Sequence, residues 1–305
     1  MKSQSPNILK ASQQNRRAFT LIELLIAITI IALLLGLLFP AIGSVRLAAQ
    51  RAQVRAEISN LETAITAFRA DFGMDPPSGI VLQEDGGATW DQRSKGLIRK
   101  MWPQFNFGTD KDINGDGDAN DTITLNAGEC LVFFLGGVYE KTTDGKFRVY
   151  GFSKNPARPF LNPGSSVTAL SASNSSRLGP FFEFNNSRFV DTDAATAPAG
   201  EFAPEYLDSF PSQQTPYMYL SSYGGRGYRS TDLPPGFISA YREGDPTVAP
   251  TNSDQPYKSK SYQIISPGAD NQFGTGGNYD TNKNFPIGRT VEADNITNFV
   301  SGSLK

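Results

Sequence analysis

The sequence predicts an α+β protein: one long N-terminal helix, apolar and then amphipathic, followed by a small antiparallel-sheet head with loop-rich insertions. Three observations carry that expectation. A predominantly apolar run extends from Phe19 to Phe39 with a single charge in it, Glu23. Apolar residues then recur at helical spacing through Leu47, Val54, Ile58, Leu61, Ile65, Phe68 and Phe72. Beyond Ser78 the chain is rich in Gly, Pro, Ser, Asn and Asp, with short apolar runs between turn signals.

The elements follow in order. Residues 1–18 form a polar leader whose only charges are Lys2, Lys10, Arg16 and Arg17. This basic leader is expected to stay in the cytoplasm and to send the long C-terminal part across the membrane, a single pass with the head outside. Residues 19–43 read as a transmembrane helix, because about 20 predominantly apolar residues cross a bilayer core. A secretory signal would instead show a shorter apolar segment followed by a small-residue cleavage site. Residues 44–77 form the amphipathic half of the same helix, with Arg46, Arg51, Arg55, Glu57, Glu62 and Arg69 facing solvent. Pro40 sits inside this helix and invites a kink; Gly73 and Pro76-Pro77 end it.

Residues 78–305 form the head, with a large insertion at about 78–207. In it "NAGECLVFFLGGV" is compatible with a short buried helix or a strand. The segment from Asn155 to Ala203 is the least patterned, and "SSVTALSASNSS" and "DTDAATAPAG" read as surface loops. "TPYMYLSS" and "KSYQIIS" are the better strand candidates. "GGRGYR" at Gly224–Arg229 lacks a phosphate-binding lysine and favours a flexible hairpin over a nucleotide loop. Phe181, Phe182 and Phe184 are expected to fill a core.

Composition excludes several classes of function. A hydrophobic content of 39% is enough for a real core. The net charge is −2, and without the leader it would be −6, so no broad basic footprint for nucleic acid remains. Histidine is absent, which removes the commonest general base and the usual Ser-His and Cys-His pairs. The chain is therefore expected not to be an enzyme; an anchored enzyme would have to use carboxylates such as Asp191, Asp193, Glu201 and Glu205. The lone Cys130 lies in an apolar run and reads as a small buried hydrophobe.

"RRAFTLIELL" resembles the class III signal of type IV prepilins and of type II secretion pseudopilins: a basic leader, a small residue, then Phe-Thr-Leu-Ile-Glu opening the apolar helix. The resemblance implies that prepilin peptidase cuts between Ala18 and Phe19 and methylates the new amine of Phe19. Where the family usually has glycine before the cut, this chain has Ala18. A carboxylate at the centre of a bilayer helix costs about 2.5–3.5 kcal/mol on insertion scales and usually has a polar partner. In the family the glutamate at the position of Glu23 pairs with the N-terminal amine of a neighbouring subunit and sets filament register. A plain membrane anchor whose Glu23 snorkels to the headgroups is the bland alternative.

The C-terminal segment is similar to the end of major type II secretion pseudopilins. "DSFPSQQTPYMYLSS", "YQIISPGADNQFGTGG" and "EADNITNF" carry that likeness, with a longer insert, "NYDTNKNFPIGRTVE", between the glycines and "ADN". In that family the loop holds calcium with carboxylates and main-chain carbonyls, which implies Asp270 and Asp294 as ligands, or Asp280 in place of one. A solvated acidic turn fits the same residues.

A third pattern, "DINGDGDAND", places Asp112, Asn114, Asp116, Gly117 and Asp118 at the first positions of an EF-hand-like loop. Its twelfth position, normally glutamate, is Ile123, so Asp110, Asn120 or Asp121 would have to complete a calcium shell. A metal-free acidic loop fits equally well.

Together these readings imply a pilin-like structural subunit of a type II secretion pseudopilus in the bacterial inner membrane, with its head in the periplasm. Its partners would be other copies of itself, other pseudopilins, prepilin peptidase and an inner-membrane assembly platform. A type IV or competence pilin, and an anchored calcium-dependent binding domain that never polymerises, are the alternatives.

Overall fold

The computed structural model describes residues 19–171, 176–194 and 201–304, with the side chains of 37–41 excepted. The leader with Ala18, the side chain of Pro40, and parts of the two serine- and alanine-rich loops lie outside the described residues. The chain divides into two compact units, 1–49 and 50–305.

Helix α1 runs from Leu21 to Phe72 without a break. In the first unit its apolar side chains are exposed, from Leu21 at 80% to Leu35 at 41%. Among the described residues no helix is long and apolar enough to cross a membrane. This qualifies the expected span over 19–43. The described apolar side chains of the helix stop at Gly36 and resume at Ile42, and residues 21–36 cover only about 24 Å of a roughly 30 Å core.

In the second unit the expected stripe is buried: Val54, Ile58, Leu61, Ile65, Phe68 and Phe72 all face the core, while Leu47 in the first unit is half-buried. The opposite face is less solvated than the sequence suggests. Glu57 accepts hydrogen bonds from Arg188 and, at 2.8 Å, from the Tyr217 hydroxyl. Glu62 accepts from Asn298 Nδ2 at 3.0 Å and lies 3.6 Å from Lys258 Nζ. Arg69 Nε donates to Asp75 at 2.6 Å, just past the Gly73 terminator with its φ of 69°.

The head opens with β1 (Ile80–Gln83), α2 (Gln92–Met101), β2 (Thr122–Leu125) and α3 (Ala127–Gly136). β1 and β2 pair antiparallel, Leu82 opposite Ile123 and Gln83 opposite Thr122. The ambiguous "NAGECLVFFLGGV" is thus helix α3. Asn126 accepts from the N–H groups of Gly128 and Glu129 while the Glu129 carboxylate accepts from Asn126 N–H at 2.7 Å, a reciprocal cap that fixes the helix start. All ten residues of α3 are buried, which is why it reads as apolar on every side. Cys130 is among them, and burial pushes its thiol well up.

Three antiparallel pairs of very short strands build the insertion. They are β3 (Tyr139–Lys141) with β4 (Phe147–Val149), β5 (Phe152–Ser153) with β6 (Arg177–Leu178), and β7 (Phe189–Val190) with β8 (Glu205–Tyr206). Aromatic rings replace sheet as the glue here. Phe68 and Phe72 of α1 meet Phe134, Phe181 and Trp102 at ring distances of 4.9–6.1 Å, and Trp102 meets Phe152 and Phe160 at 5.0 and 5.3 Å. Phe184 is buried against Tyr206.

The C-terminal part contains β9 (Met218–Ser221), β10 (Ser239–Glu243), β11 (Tyr262–Ser266), β12 (Gly276–Tyr279) and β13 (Ile296–Thr297). Both strand candidates are confirmed: β11 is central, with β9 and β13 antiparallel on either side and Ile264 opposite Tyr219. β10 and β12 depart from the antiparallel expectation and run parallel, Arg242 opposite Asn278.

Candidate functional site

At the start of α1, Thr20 and Glu23 bond to each other. Glu23 Oε2 accepts from Thr20 N–H at 2.9 Å and from the Thr20 hydroxyl at 2.7 Å, while Glu23 N–H donates to Thr20 Oγ1 at 3.2 Å. This is a capping box, which supplies partners for two donors at the helix N-terminus. Glu23 therefore already has a local role besides any pairing with a neighbour's amine. The Thr-x-x-Glu spacing carries the signal in the sequence itself. Phe19, 82% exposed, precedes the helix.

The acidic loop 110–121 is wound by alternate side chains. Asp112 accepts from the N–H groups of Gly115 and Gly117, Asn114 from Asp116, Asp116 from Asp118 and Asp118 from Asn120, at 2.7–3.2 Å. Gly115 and Gly117 supply the left-handed turns, with φ of 77° and 98°. Of the three aspartates among the ligand candidates from the motif, the structure gathers Asp116 and Asp118. Asp112, fully buried, turns towards the loop's own backbone, whereas Asn114 accepts from Asp116 N–H with Oδ1 and donates to the Asp121 carboxylate from Nδ2 at 3.0 Å.

Two other residues complete a cluster: Asp121, and Glu84 at the end of β1. Ligand oxygens of Glu84, Asp116, Asp118 and Asp121 all lie within 4.8 Å of one another. Glu84 is hidden from the motif because strand pairing, not sequence spacing, delivers it. Its N–H donates to Asp121 O at 3.0 Å, continuing the β1–β2 ladder by one step. The vacant twelfth position is explained by the same ladder, since Ile123 points into the core.

Gathering these charges is costly. Two unit charges 4 Å apart interact by about 4 kcal/mol at an effective dielectric near 20. Burial, and then the charges of Asp112 and Asp121, push the Glu84 carboxyl up to about 9; burial leads in raising Asp121 to about 6. Asp112 is raised as well, chiefly by burial.

At the C-terminal turn the Asp294 carboxylate reaches the backbone beside Asp270. Asp294 Oδ2 accepts from the N–H groups of Ala269 and Asp270 at 2.6 and 3.2 Å, and Asp270 Oδ1 accepts from Gln272 N–H at 2.8 Å. A side chain at Gly268 would strike Asp294, its Cβ 2.6 Å away, so this turn admits only glycine. Asp294 Oδ1 is buried without a partner and fits a cation, but among the described residues no third carboxylate joins the pair within ligand distance. The other ligands of a calcium ion here would be main-chain carbonyls. Asp280 is spent on its own turn, accepting from Asn282.

The same region carries a cation of its own. Arg289 meets the fully buried Glu292 in a bidentate pair at 2.7 Å and donates to the carbonyls of Asn278 and Pro246 at 2.8 and 3.2 Å. Glu292 also accepts from the Tyr241 hydroxyl at 2.8 Å and Thr275 N–H at 3.0 Å. The pair is local in sequence, but the carbonyls of Asn278 and Pro246 and the Tyr241 hydroxyl that join it come from other parts of the chain.

The carboxylates that an anchored enzyme would have to use have interactions of their own. Asp191 pairs with Lys141 at 3.4 Å, Glu201 accepts from Thr124 N–H at 2.6 Å, and Glu205 accepts from Thr192 N–H at 3.3 Å. The glycines of "GGRGYR" make a tight turn beside a cleft of about 610 Å³ lined by Arg69, Arg93, Lys100, Arg226, Arg229 and Lys260. Arg93 spends its charge on the buried Asp232, 3.3 Å away.

Residues 13–39 match the family model of the prokaryotic N-terminal methylation motif. No curated protein and no solved structure matches the chain. That motif is shared by type IV pilins and pseudopilins, and it makes this chain prepilin-like at its N-terminus.

Proposed function

We propose that the chain is a structural subunit of a type II secretion pseudopilus, processed at the inner membrane and assembled there into a short filament that drives protein export. One observation carries this reading: the methylation motif over 13–39 opens a helix whose first unit exposes apolar side chains on every face. The apolar sequence from Phe19 to Phe39 is the proposed anchor, with the head in the periplasm. Prepilin peptidase cuts after Ala18 and methylates Phe19, and an assembly platform lifts the subunit out of the bilayer. The helix then exchanges lipid for neighbouring helices, both of its own kind and of other pseudopilins. Glu23 pairs with the amine of the adjacent copy, and calcium at Asp270 and Asp294 steadies the C-terminal turn.

Mass spectrometry of membrane-purified protein tests processing, with methylated Phe19 expected as the first residue. An intact leader in a cell that makes prepilin peptidase overturns the reading. Deletion of the gene separates the roles: loss of export with surface pili intact supports a pseudopilus, whereas loss of pili favours a type IV or competence pilin.

A further inference from the structure

We propose that Glu84 closes a calcium site whose other side-chain ligands are Asp116, Asp118 and Asp121, so that a bound ion clasps the acidic loop to the end of β1. This site is separate from the C-terminal turn, and its binding is read on the purified chain whether or not the chain assembles.

Two independent observations support it. The first is the gathering of four carboxylates, with ligand oxygens within 4.8 Å of one another. The second is an orphaned atom. Glu84 has no exposed surface, and its Oε1 is committed to the N–H groups of Ile113 at 2.5 Å and Asn114 at 3.4 Å. Its Oε2 is buried with no hydrogen-bond partner. A buried carboxylate oxygen without a partner, on a residue gathered with three more carboxylates, is one that a bound cation would satisfy, and among the described residues none of the four is ion-paired. Lys111 is the nearest cationic residue in sequence, and its ammonium donates to the carbonyls of Phe107 and Thr109 instead.

The donor set selects the ion. Every ligand is a carboxylate oxygen, which suits hard cations and not zinc or copper. Oxygens on a loop with two left-handed glycines form a shell that adapts to 6–8 ligands, which calcium accepts and the strict octahedron of magnesium does not. Asn114 acts as a positioning residue, donating from Nδ2 to Asp121 at 3.0 Å and to Asp116 at 3.4 Å. Glu84 thus takes the place of the glutamate that an EF-hand loop carries at its twelfth position.

The test uses the full chain in detergent micelles, stripped with EDTA and titrated with calcium by calorimetry, with thermal melts in parallel. The native chain is expected to bind calcium and melt higher for it, with excess magnesium unable to compete. Glu84→Gln, which keeps the shape and the Oε1 bonds, should bind one ion fewer or at least about tenfold more weakly. The exposed double variant Asp116→Asn/Asp118→Asn, which leaves the buried core alone, should do the same, while Asp294→Asn should leave this site unchanged. A native chain that binds no calcium overturns the proposal. So does a Glu84→Gln chain with native stoichiometry and affinity, or binding that vanishes only with Asp294→Asn.

Discussion

The two ends of α1 are one continuous helix with opposite relations to solvent. Residues 21–36 expose Leu21 at 80%, Ile26 at 53% and Leu33 at 66%, whereas Val54, Leu61, Ile65 and Phe68 farther along have no exposed surface. The difference lies in periodicity. The distal stretch keeps its apolar residues in one stripe, and the head covers that stripe. The proximal stretch is apolar all round, so no single face of one domain can cover it. The division between compact units falls at Ala49 and Gln50, close to where the pattern changes.

Mutation of the two stretches should therefore give opposite phenotypes. Phe68→Ala removes a ring that meets Phe72, Phe134 and Phe181, and should destabilise the head by about 3–5 kcal/mol in urea melts. Ile26→Ala should shift the same melts by no more than about 0.5 kcal/mol. An equal loss from both would break the contrast.

A pH series sharpens it, because the distal stretch packs on a head that holds buried carboxylates. Burial raises Glu205 to about 7 and Glu129 to about 9, above their ordinary 4.5. The folded chain therefore keeps protons that the unfolded chain releases. Their contribution is complete below about pH 4.5 and is lost as pH rises through 7 and then towards 9. Glu205→Gln should remove on the order of 1–3 kcal/mol of that slope between pH 5 and 8. Parallel stability curves for native and variant would show that Glu205 does not titrate there.

The smallest effect lies at the proximal end. Thr20→Ala should cost about 1 kcal/mol of local helix stability, read by amide exchange in the first turn, and Thr20→Ser should restore it. Glu23→Gln keeps the cap, since glutamine also serves in a capping box, but it removes the charge. Loss of filaments in Glu23→Gln with a normal first turn assigns assembly to the charge; native assembly assigns Glu23 to the cap alone.

Local signals were legible in the sequence wherever one short segment contains the whole pattern. The buried stripe of α1, strands β9 and β11 and the glycine turns of the acidic loop follow from spacing. Glu84 does not, because it joins Asp121 through a ladder between strands almost forty residues apart. The Arg289–Glu292 pair is close in sequence, yet its carbonyl partners at Pro246 and Asn278 come from elsewhere. The parallel pairing of β10 and β12 likewise depends on a crossover that no local pattern marks. At Thr20 the cue is present, but the apolar run around it draws the eye to membrane chemistry.

Glu57, Glu62 and Arg69 tie three points along α1 to Arg188 and Tyr217, to Asn298 and Lys258, and to Asp75. These fastenings reach three widely separated parts of the chain, so a tug along the helix axis is borne in shear at several points at once. Peeling this part of the helix from the rest of its unit requires all of them to yield together with the aromatic stripe beneath.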